Sequence, residues 1–294
     1  MEIVLKNNRL RVVVDTYGAE ITKVENFTDG ETVKDCVWDG NPRWWKRHTP
    51  VLFPIVGSLW HGVMRHNGCE YAMSQHGFAR DSEFEVVAAT DTCVEMRLAS
   101  SDETLKVYPF HFELFMKHEI FDDGTITTSW RVVNTGSEEM HFQIGGHPAY
   151  LLSVSESGEY EGTVRLSGGK LPYRLTTIEA EGCVALGETV FEGDAITITP
   201  DTFAHDAFIF EAPCPGTVTL CDGNGKEILV FRSDCPALGI WAPGRGETAP
   251  FVCIEPWWGR TDRMGYTGAA ADREYMQHLA PSASATGCWS VTFR

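Results

Sequence analysis

The sequence has few basic residues for its length. Its 294 residues include 24 lysines and arginines against 41 aspartates and glutamates, which gives a formal net charge of −17. A surface with this excess of negative charge repels phosphate backbones and anionic lipid headgroups, and it offers no basic stripe to either. We therefore predict no nucleic-acid partner.

Membrane and export signals are also missing. The apolar start of the chain is interrupted by Glu2, Lys6 and Arg9, too early for a signal peptide, and no later stretch is long enough to span a bilayer. The nine cysteines are odd in number and contain no Cys-x-x-Cys pair, so the sequence indicates neither a disulfide framework nor a thiolate zinc site. We expect buried thiols, no membrane insertion and, by default, a cytoplasmic protein.

Helical periodicity is scarce, and alternation of apolar with polar residues takes its place. The pattern predicts a first hairpin around Asn7 and Asn8, later strands at 84–87, 94–98, 111–120 and 125–133, a hairpin around 222–225 and a final strand at 288–294. Only residues 269–279 suggest a weak helix. Residues 39–54, rich in proline and tryptophan, predict an ordered loop that lies over another part of the protein.

Short strands joined by turns favour an all-β fold, one large antiparallel β-sandwich over residues 1–294. The 43% of hydrophobic residues is enough for a packed core. The Gly/Ser-rich stretch at 155–169 is the one candidate boundary, but it lacks the length of a linker.

The common catalytic and cofactor motifs are absent as well. The sequence contains no nucleophile elbow, phosphate-binding loop or dinucleotide fingerprint, and we predict no cofactor. His61, His66 and His76 are the candidate metal ligands, but their spacing fits neither a helical pair nor a known loop pattern, so we predict no metal.

What the chain does contain is a histidine, His147, behind two glycines and in front of a proline. Gly145 and Gly146 permit backbone angles closed to other residues and let a ligand approach, while Pro148 fixes the following turn. We expect His147 at a strand end, where an imidazole can exchange a proton near neutral pH. The alternative is a histidine that only caps a turn.

Two acidic residues stand among apolar neighbours. Glu255 follows a run of apolar residues and precedes Pro-Trp-Trp, so partial desolvation would raise its pKa and make it a better base. Asp206 lies between aromatic residues in Phe-Ala-His-Asp-Ala-Phe. The structural alternatives are a strand-end carboxylate for Glu255 and a turn-stabilising side chain for Asp206.

A second histidine and several tryptophans add to these groups. His76 precedes a glycine at another strand-to-loop boundary. Tryptophan rings stack on the apolar face of a pyranose, although any single one is more often core filler. The set Trp60, Trp241, Trp257 and Trp258, together with two histidines and a carboxylate, suggests a carbohydrate cleft.

Four motifs in this order resemble the aldose 1-epimerase (galactose mutarotase) superfamily, in its LacX-like branch. They are Pro-Val-Leu-Phe-Pro-Ile-Val-Gly at 50–57, Gln-His-Gly-Phe-Ala-Arg at 75–80, Gly-Gly-His-Pro-Ala-Tyr at 145–150 and Cys-Ile-Glu-Pro-Trp-Trp-Gly at 253–259. The resemblance implies a β-sandwich of the galactose mutarotase type. It also implies cofactor-free interconversion of the α- and β-anomers of a monosaccharide substrate.

The resemblance assigns roles to individual residues. It implies that His147 protonates the ring oxygen and that Glu255 takes the proton of the anomeric hydroxyl. Opening a cyclic hemiacetal requires these two proton transfers, so we expect an acid and a base on opposite sides of one sugar. His76 matches a supporting histidine, and Asp206 matches an aspartate that binds sugar hydroxyls. We add Trp257 as a stacking surface for the sugar.

The pattern departs from the family after Gly57, where many members carry an arginine and this chain has Ser58. Arg47 and Arg80 are the candidates to replace that sugar-contacting arginine. Two other functions stay open: a hexose-6-phosphate 1-epimerase, whose phosphate would need clustered arginines, and a carbohydrate-binding protein without catalysis. The sequence leaves the identity of the sugar and the oligomeric state open.

Overall fold

Strands make up most of the molecule, as the alternating pattern predicts. The structure is a computed structural model that describes residues 1–28 and 32–294, and its one α-helix there, α1, is the four-residue segment Asp102–Leu105. Short 3-10 turns occupy Trp60–Gly62, Ala79–Asp81 and Ala270–Asp272. The strands are β1 (Glu2–Lys6), β2 (Leu10–Asp15), β3 (Glu20–Thr28), β4 (Thr32–Asp35), β5 (Val51–Leu52), β6 (Val63–His66), β7 (Cys69–Ala72), β8 (Glu85–Ala89), β9 (Cys93–Ala99), β10 (Phe112–Ile120), β11 (Thr125–Asn134), β12 (Met140–Phe142), β13 (Ile144–Gly146), β14 (Ala149–Leu151), β15 (Ser153–Val154), β16 (Tyr160–Glu161), β17 (Thr163–Ser167), β18 (Tyr173–Thr176), β19 (Ile178–Ala180), β20 (Cys183–Val184), β21 (Thr189–Phe191), β22 (Ala195–Thr197), β23 (Phe208–Glu211), β24 (Thr217–Cys221), β25 (Glu227–Ser233), β26 (Ala237–Trp241), β27 (Phe251–Trp258), β28 (Gln277–Leu279) and β29 (Ser284–Phe293).

Two large antiparallel sheets carry the fold. A nine-stranded sheet has the order β22-β17-β24-β25-β29-β11-β10-β9-β8, and an eight-stranded sheet has the order β21-β18-β23-β26-β27-β13-β5, with β14 also paired to β27. Strands β1 to β4 form a separate four-stranded sheet. This architecture confirms the predicted all-β class, a large antiparallel β-sandwich.

The two large sheets differ in how they are covered. Along β10 and β11 every second side chain is buried and the others are partly exposed, as expected of a sheet with one face on a core. Every residue of β27 is buried, so the middle of the eight-stranded sheet is covered on both faces. One face packs in the sandwich core, and the loops that cover the other face leave room for a cavity.

The hydrophobic core lies between the two large sheets and contains side chains from both. The rings of Trp130 on β11 and Trp258 on β27 meet edge to face with centroids 5.2 Å apart. One continuous cluster of buried apolar side chains extends in sequence from Leu5 to Phe293. This continuity favours a single domain over residues 1–294, which stays a prediction.

Three expectations need correction or refinement. The weak helix at 269–279 is wrong: that segment has one 3-10 turn and then β28, whose backbone pairs with β12. The predicted loop at 39–54 contains β5, which pairs with β13. All nine cysteines are free thiols, but they are not all buried, since Cys69 and Cys288 are exposed.

In the residues that the structure describes, no helix has the length and apolar character needed to cross a membrane.

His118 on β10 is a polar residue inside the core and generates a stability prediction. It is 3% exposed, and its Nε2 and Nδ1 lie 2.9 Å from the Ala19 carbonyl oxygen and 3.0 Å from the Thr128 hydroxyl. Burial lowers its pKa from 6.5 to about 4. Between those pH values His118 is therefore protonated in the unfolded chain and neutral in the folded chain. As the pH falls from 6.5 to 4, this difference lowers the free energy of unfolding by about 3 kcal/mol.

We expect His118→Gln to show a smaller loss of unfolding free energy between pH 7 and pH 4.5 than the wild type. Urea denaturation at each pH measures the difference, and His205→Gln, at an exposed histidine, is the matched control. Equal losses in the wild type and His118→Gln would contradict the assignment of His118 as a buried neutral imidazole.

Candidate active site

A cavity of about 300 Å³ opens on the second face of the eight-stranded sheet. It collects side chains that are far apart in sequence but lie on neighbouring strands and on the loops at their ends. The lining residues are Trp45, Gly57, Gln75, His76, Arg80, His147, Ile178, Gly182, Asp206, Ala207, Trp241, Glu255, Trp257 and Thr261.

His147 enters this cavity from the gap between β13 and β14, as its flanking residues predict. Its backbone N–H donates to the Pro50 carbonyl oxygen at 3.0 Å, and the side chain is 7% exposed. The reason for the two preceding glycines differs from the expectation, because neither has a positive φ. A Cβ on Gly145 would lie 2.8 Å from Trp257, and one on Gly146 would lie 2.7 Å from Trp289, so close packing requires them.

Glu255 lies in the middle of β27. Because side chains alternate along a strand, Cys253, Glu255 and Trp257 share the face toward the cavity, while Trp258 points into the sandwich core. The strand continues through Pro256 to Trp258, so Glu255 is not at a strand end. The carboxyl group is 1% exposed.

The two groups approach each other directly. His147 Nε2 lies 3.2 Å from Glu255 Oε2 without an aligned hydrogen bond, and within residues 1–28 and 32–294 neither that oxygen nor His147 Nδ1 has a hydrogen-bond partner. The predicted acid and the predicted base are therefore neighbours, whereas we expected them on opposite sides of a sugar. Buried polar atoms without a partner are rare in proteins and require an explanation, such as a catalytic role.

Desolvation dominates the electrostatics of this pair. Burial lowers the pKa of His147 to about 3, helped by the nearby guanidinium groups of Arg80 and Arg47. Burial, and then the negative charge of Asp206, raises the pKa of Glu255 well above its usual value. Both shifts disfavour charge, so they favour the state in which Glu255 is protonated, the His147 ring is neutral and the pair has no net charge.

His76 stands beside His147 as a hydrogen-bond donor. The Gly57 N–H donates to His76 Nδ1 at 3.0 Å, which leaves the proton of the neutral ring on Nε2. Burial lowers the pKa of His76 well below its usual value, so the ring is neutral at pH 7. Its ring meets that of His147 edge to face at 5.6 Å.

The local backbone explains why a glycine follows His76. Gly77 has φ of +70°, and a Cβ there would lie 2.2 Å from the Phe53 carbonyl oxygen. Phe53 and Gly77 form a parallel β-bridge at this point. The close backbone contact fixes the turn that presents His76, and only glycine fits it.

Aromatic rings form one wall of the cavity. Trp45 stacks on His147 with centroids 4.6 Å apart and an angle of 29°, and Trp241 meets the same imidazole edge to face at 5.5 Å. Trp257 lines the cavity as expected. Trp258 and Trp60 do not belong to the lining, and Trp258 instead packs against Trp130.

Of the three remaining residues predicted to contact the sugar, two line the cavity and one does not. Asp206 lines the cavity, although its Oδ1 also accepts the Ala207 N–H at 2.7 Å. Arg80 lines it too, with one N–H donated to the Gln75 carbonyl oxygen at 2.6 Å. Arg47 is not a lining residue: its guanidinium donates to both carboxylate oxygens of Asp81, at 3.0 and 3.1 Å. A direct sugar contact by Arg47 is therefore not supported.

Sequence reasoning missed two lining residues of note. Trp45 lies in the aromatic loop at 39–54. The sequence pattern pointed to that loop but not to this residue. Thr261 left no signal in the sequence: its hydroxyl oxygen accepts the Ser58 N–H and lies within donor distance of two carbonyl oxygens, that of Gly182 at 2.6 Å and that of Ser58 at 2.9 Å. It joins three separate loops at the cavity floor.

Metal-ligand chemistry is also possible at this place. The ligand atoms of His147, Cys253 and Glu255 lie within 4.8 Å of one another. An ion held there would occupy the atoms that face the cavity. His61, His66 and His76, the set considered from spacing, do not form a group of this kind in the described part of the chain.

Comparisons with known proteins agree with this architecture. The sequence pattern of a family described as aldose 1-epimerase matches residues 1–292. In an alignment 315 positions long the chain is 26% identical to the chromosomal LacX protein of Lactococcus lactis subsp. lactis, with 99% of both chains covered.

Solved structures give a closer match in shape. A galactose mutarotase related enzyme from Lactobacillus acidophilus superposes with a TM-score of 0.91 at 32% identity, covering 100% of this chain and 97% of that one. A galactose mutarotase-like protein from Lactobacillus casei also has a TM-score of 0.91, at 26% identity, with both chains covered completely.

Two equally buried glutamates test whether Glu255 is held for function. Glu211 is also 1% exposed, but it accepts hydrogen bonds from Arg260, Thr176 and Tyr275. We expect Glu211→Gln to lower the free energy of unfolding by about 3 kcal/mol, because it breaks a buried ion pair. Glu255→Gln should lower it much less, because the Oε2 atom of this desolvated acid accepts no hydrogen bond in the described residues.

Urea denaturation at pH 7 measures both variants. A large loss of stability in Glu255→Gln, comparable to that in Glu211→Gln, would show that Glu255 is a structural residue and would contradict this interpretation of the site.

Proposed function

Because the chain belongs to the aldose 1-epimerase family, we propose that it interconverts the α- and β-anomers of a free hexose. Membership implies a sugar substrate. The observation that carries the proposal is the unpaired contact between His147 Nε2 and Glu255 Oε2, 3.2 Å apart on the wall of a cavity of monosaccharide size.

The reaction needs an acid and a base at adjacent atoms. Opening the ring breaks the bond between C1 and the ring oxygen, while the anomeric hydroxyl loses its proton and the ring oxygen gains one. Rotation about the C1–C2 bond then presents the other face of the aldehyde, and closure reverses both proton transfers. The two oxygens are bonded to the same carbon, so neighbouring side chains suit them better than opposed ones.

We assign the base to Glu255 and the acid to His147. When Glu255 takes the proton of the anomeric hydroxyl, His147 gives one to the ring oxygen, and the pair still holds one proton in total. The shifts place the resting proton on Glu255, so ring opening starts from the less populated form, in which His147 is protonated and Glu255 is ionised. In that form the low pKa of His147 makes it a strong acid, and the raised pKa of Glu255 makes its carboxylate a strong base. Burial thus strengthens both partners.

The other lining residues would hold the sugar. The Nε2–H of His76 is a donor for a hydroxyl or for the ring oxygen, since Nδ1 already accepts the Gly57 N–H. Asp206 and Arg80 offer an acceptor and donors for further hydroxyls. Trp241 and Trp257 provide apolar surface for the sugar ring.

No electron or group transfer occurs in this scheme, so it requires no cofactor, as predicted from the sequence. All nine thiols are free, which is consistent with the predicted cytoplasmic location.

We expect Glu255→Gln and His147→Gln each to lower kcat/KM for anomer exchange by about a thousandfold, since each removes one partner of the proton transfer. His76→Asn should have a smaller effect, because it alters a hydrogen-bond donor. The measurement is NMR of freshly dissolved α-anomers of galactose and glucose with added protein.

His118→Gln is the matched control, since it replaces a buried histidine that lies outside the cavity lining, and it should retain activity. Failure of the wild type to accelerate exchange for any of several hexoses would contradict the proposal. If the wild type is inactive and His147→Gln binds sugar as well as the wild type does, the protein is a carbohydrate-binding module.

Hexose 6-phosphates are the second candidate substrates, favoured by the presence of a cationic residue, Arg80, in the cavity lining. Two observations favour a neutral sugar. The second arginine of this region, Arg47, is bound to Asp81, and Asp206 and Glu255 add acidic groups to the lining. A dianionic phosphate normally requires several free cationic donors.

We therefore expect glucose 6-phosphate to compete with glucose for the site no better than 1-deoxyglucose, an uncharged analogue, does. Inhibition constants at constant ionic strength measure this. Tight competition by the phosphate that is lost in Arg80→Leu, but kept in Arg65→Leu at an exposed ion pair with Glu70, would instead assign the phosphorylated substrate.

A further inference from the structure

We propose that Glu139, His141 and His278 form a binding site for a divalent transition-metal ion of the zinc type. None of these residues lines the candidate active site. The inference does not depend on the proposed function, because it rests on a separate two-stranded ribbon formed by β12 and β28.

The ribbon brings the three side chains together. His141 and His278 are directly opposite each other in the antiparallel register, and Glu139 immediately precedes β12. Residues paired in this way project from the same face of a ribbon. Glu139 Oε2 lies 3.3 Å from His278 Nδ1 and 3.9 Å from His141 Nδ1, and all three ligand atoms lie within 4.8 Å of one another.

His141 provides the observation that an ion pair alone does not explain. It is only 7% exposed, and its Nδ1 has no hydrogen-bond partner within the described ranges of the chain. Its backbone is fixed, because the Tyr108 hydroxyl donates to its carbonyl oxygen at 2.8 Å. A buried, unpaired ring nitrogen directed at a histidine and a carboxylate is accounted for by a bound cation.

The donor set defines the class of ion. Two imidazole nitrogens and one carboxylate oxygen suit Zn²⁺, Co²⁺ or Ni²⁺, whereas Ca²⁺ and Mg²⁺ prefer oxygen ligands alone. Only small movements are required, because ligands of a tetrahedral zinc ion lie about 3.3 Å apart when each is about 2.0 Å from the metal. The net charge of −17 also favours cation binding.

A bound ion would connect two distant parts of the chain. Strand β28 follows the segment that contains Arg273, whose guanidinium pairs with Asp262 at 2.6 Å. Because metal would bind the folded chain in preference to the unfolded one, it should raise the thermal midpoint.

The test is calorimetric titration of untagged, metal-stripped, reduced protein with Zn²⁺. We expect one site with a micromolar dissociation constant, weakened about tenfold or more in His278→Ala and in Glu139→Gln. His61→Ala is the matched control, since His61 is an exposed histidine 3.0 Å from a glutamate, Glu181, without a third ligand in the described residues. It should bind Zn²⁺ as the wild type does.

Cobalt distinguishes this site from the second group of donors at His147, Cys253 and Glu255. One equivalent of Co²⁺ should produce visible bands of a nitrogen and oxygen site, and these should disappear in His278→Ala. An intense ultraviolet charge-transfer band would indicate a thiolate ligand and would overturn the proposal. Unchanged Zn²⁺ affinity in both His278→Ala and Glu139→Gln would overturn it as well.

Discussion

The exclusion of water from the carboxyl group of Glu255 is the constraint on which the site depends. Glu211 is equally buried, yet its carboxylate receives donors from an arginine and two hydroxyl groups. Glu255 has His147 beside it and no aligned hydrogen bond to its Oε2 in the described part of the chain. One acid is neutralised by the protein, and the other is left to react with what enters the cavity.

The fold provides this exclusion by covering the eight-stranded sheet on both faces. The sandwich core fills one face, and loops from distant parts of the chain enclose the other, with Trp45 laid on His147 and Thr261 joining the loops at Ser58 and Gly182. If water reached that side of the sheet, the carboxyl group would be ionised and its pKa would be that of an ordinary exposed glutamate. The catalytic proposal therefore depends on loops as much as on strands.

The sequence predicted the parts of the molecule whose period is set by burial on one face. Strands such as β10 and β11 follow strict alternation, and their bounds agree with the prediction to within one residue. The pattern failed at residues 269–279, where backbone pairing with β12 outweighs a weak helical preference. Local patterns also carry no information about cross-strand partners, so they did not reveal the pairing of His141 with His278 or the distance between His147 and Glu255.

The contact between that imidazole and that carboxyl group changes how the proposed chemistry is understood. Opposed groups would also recover their protons in each turnover, because ring closure reverses both transfers. Adjacent buried groups hold one proton between them, so ring opening moves the pair from one tautomer to the other and ring closure moves it back. Water need not enter between the two steps. On closure each oxygen keeps its own proton-transfer partner, and only the direction of each transfer is reversed. A reversible isomerisation near equilibrium requires this symmetry between the forward and reverse steps.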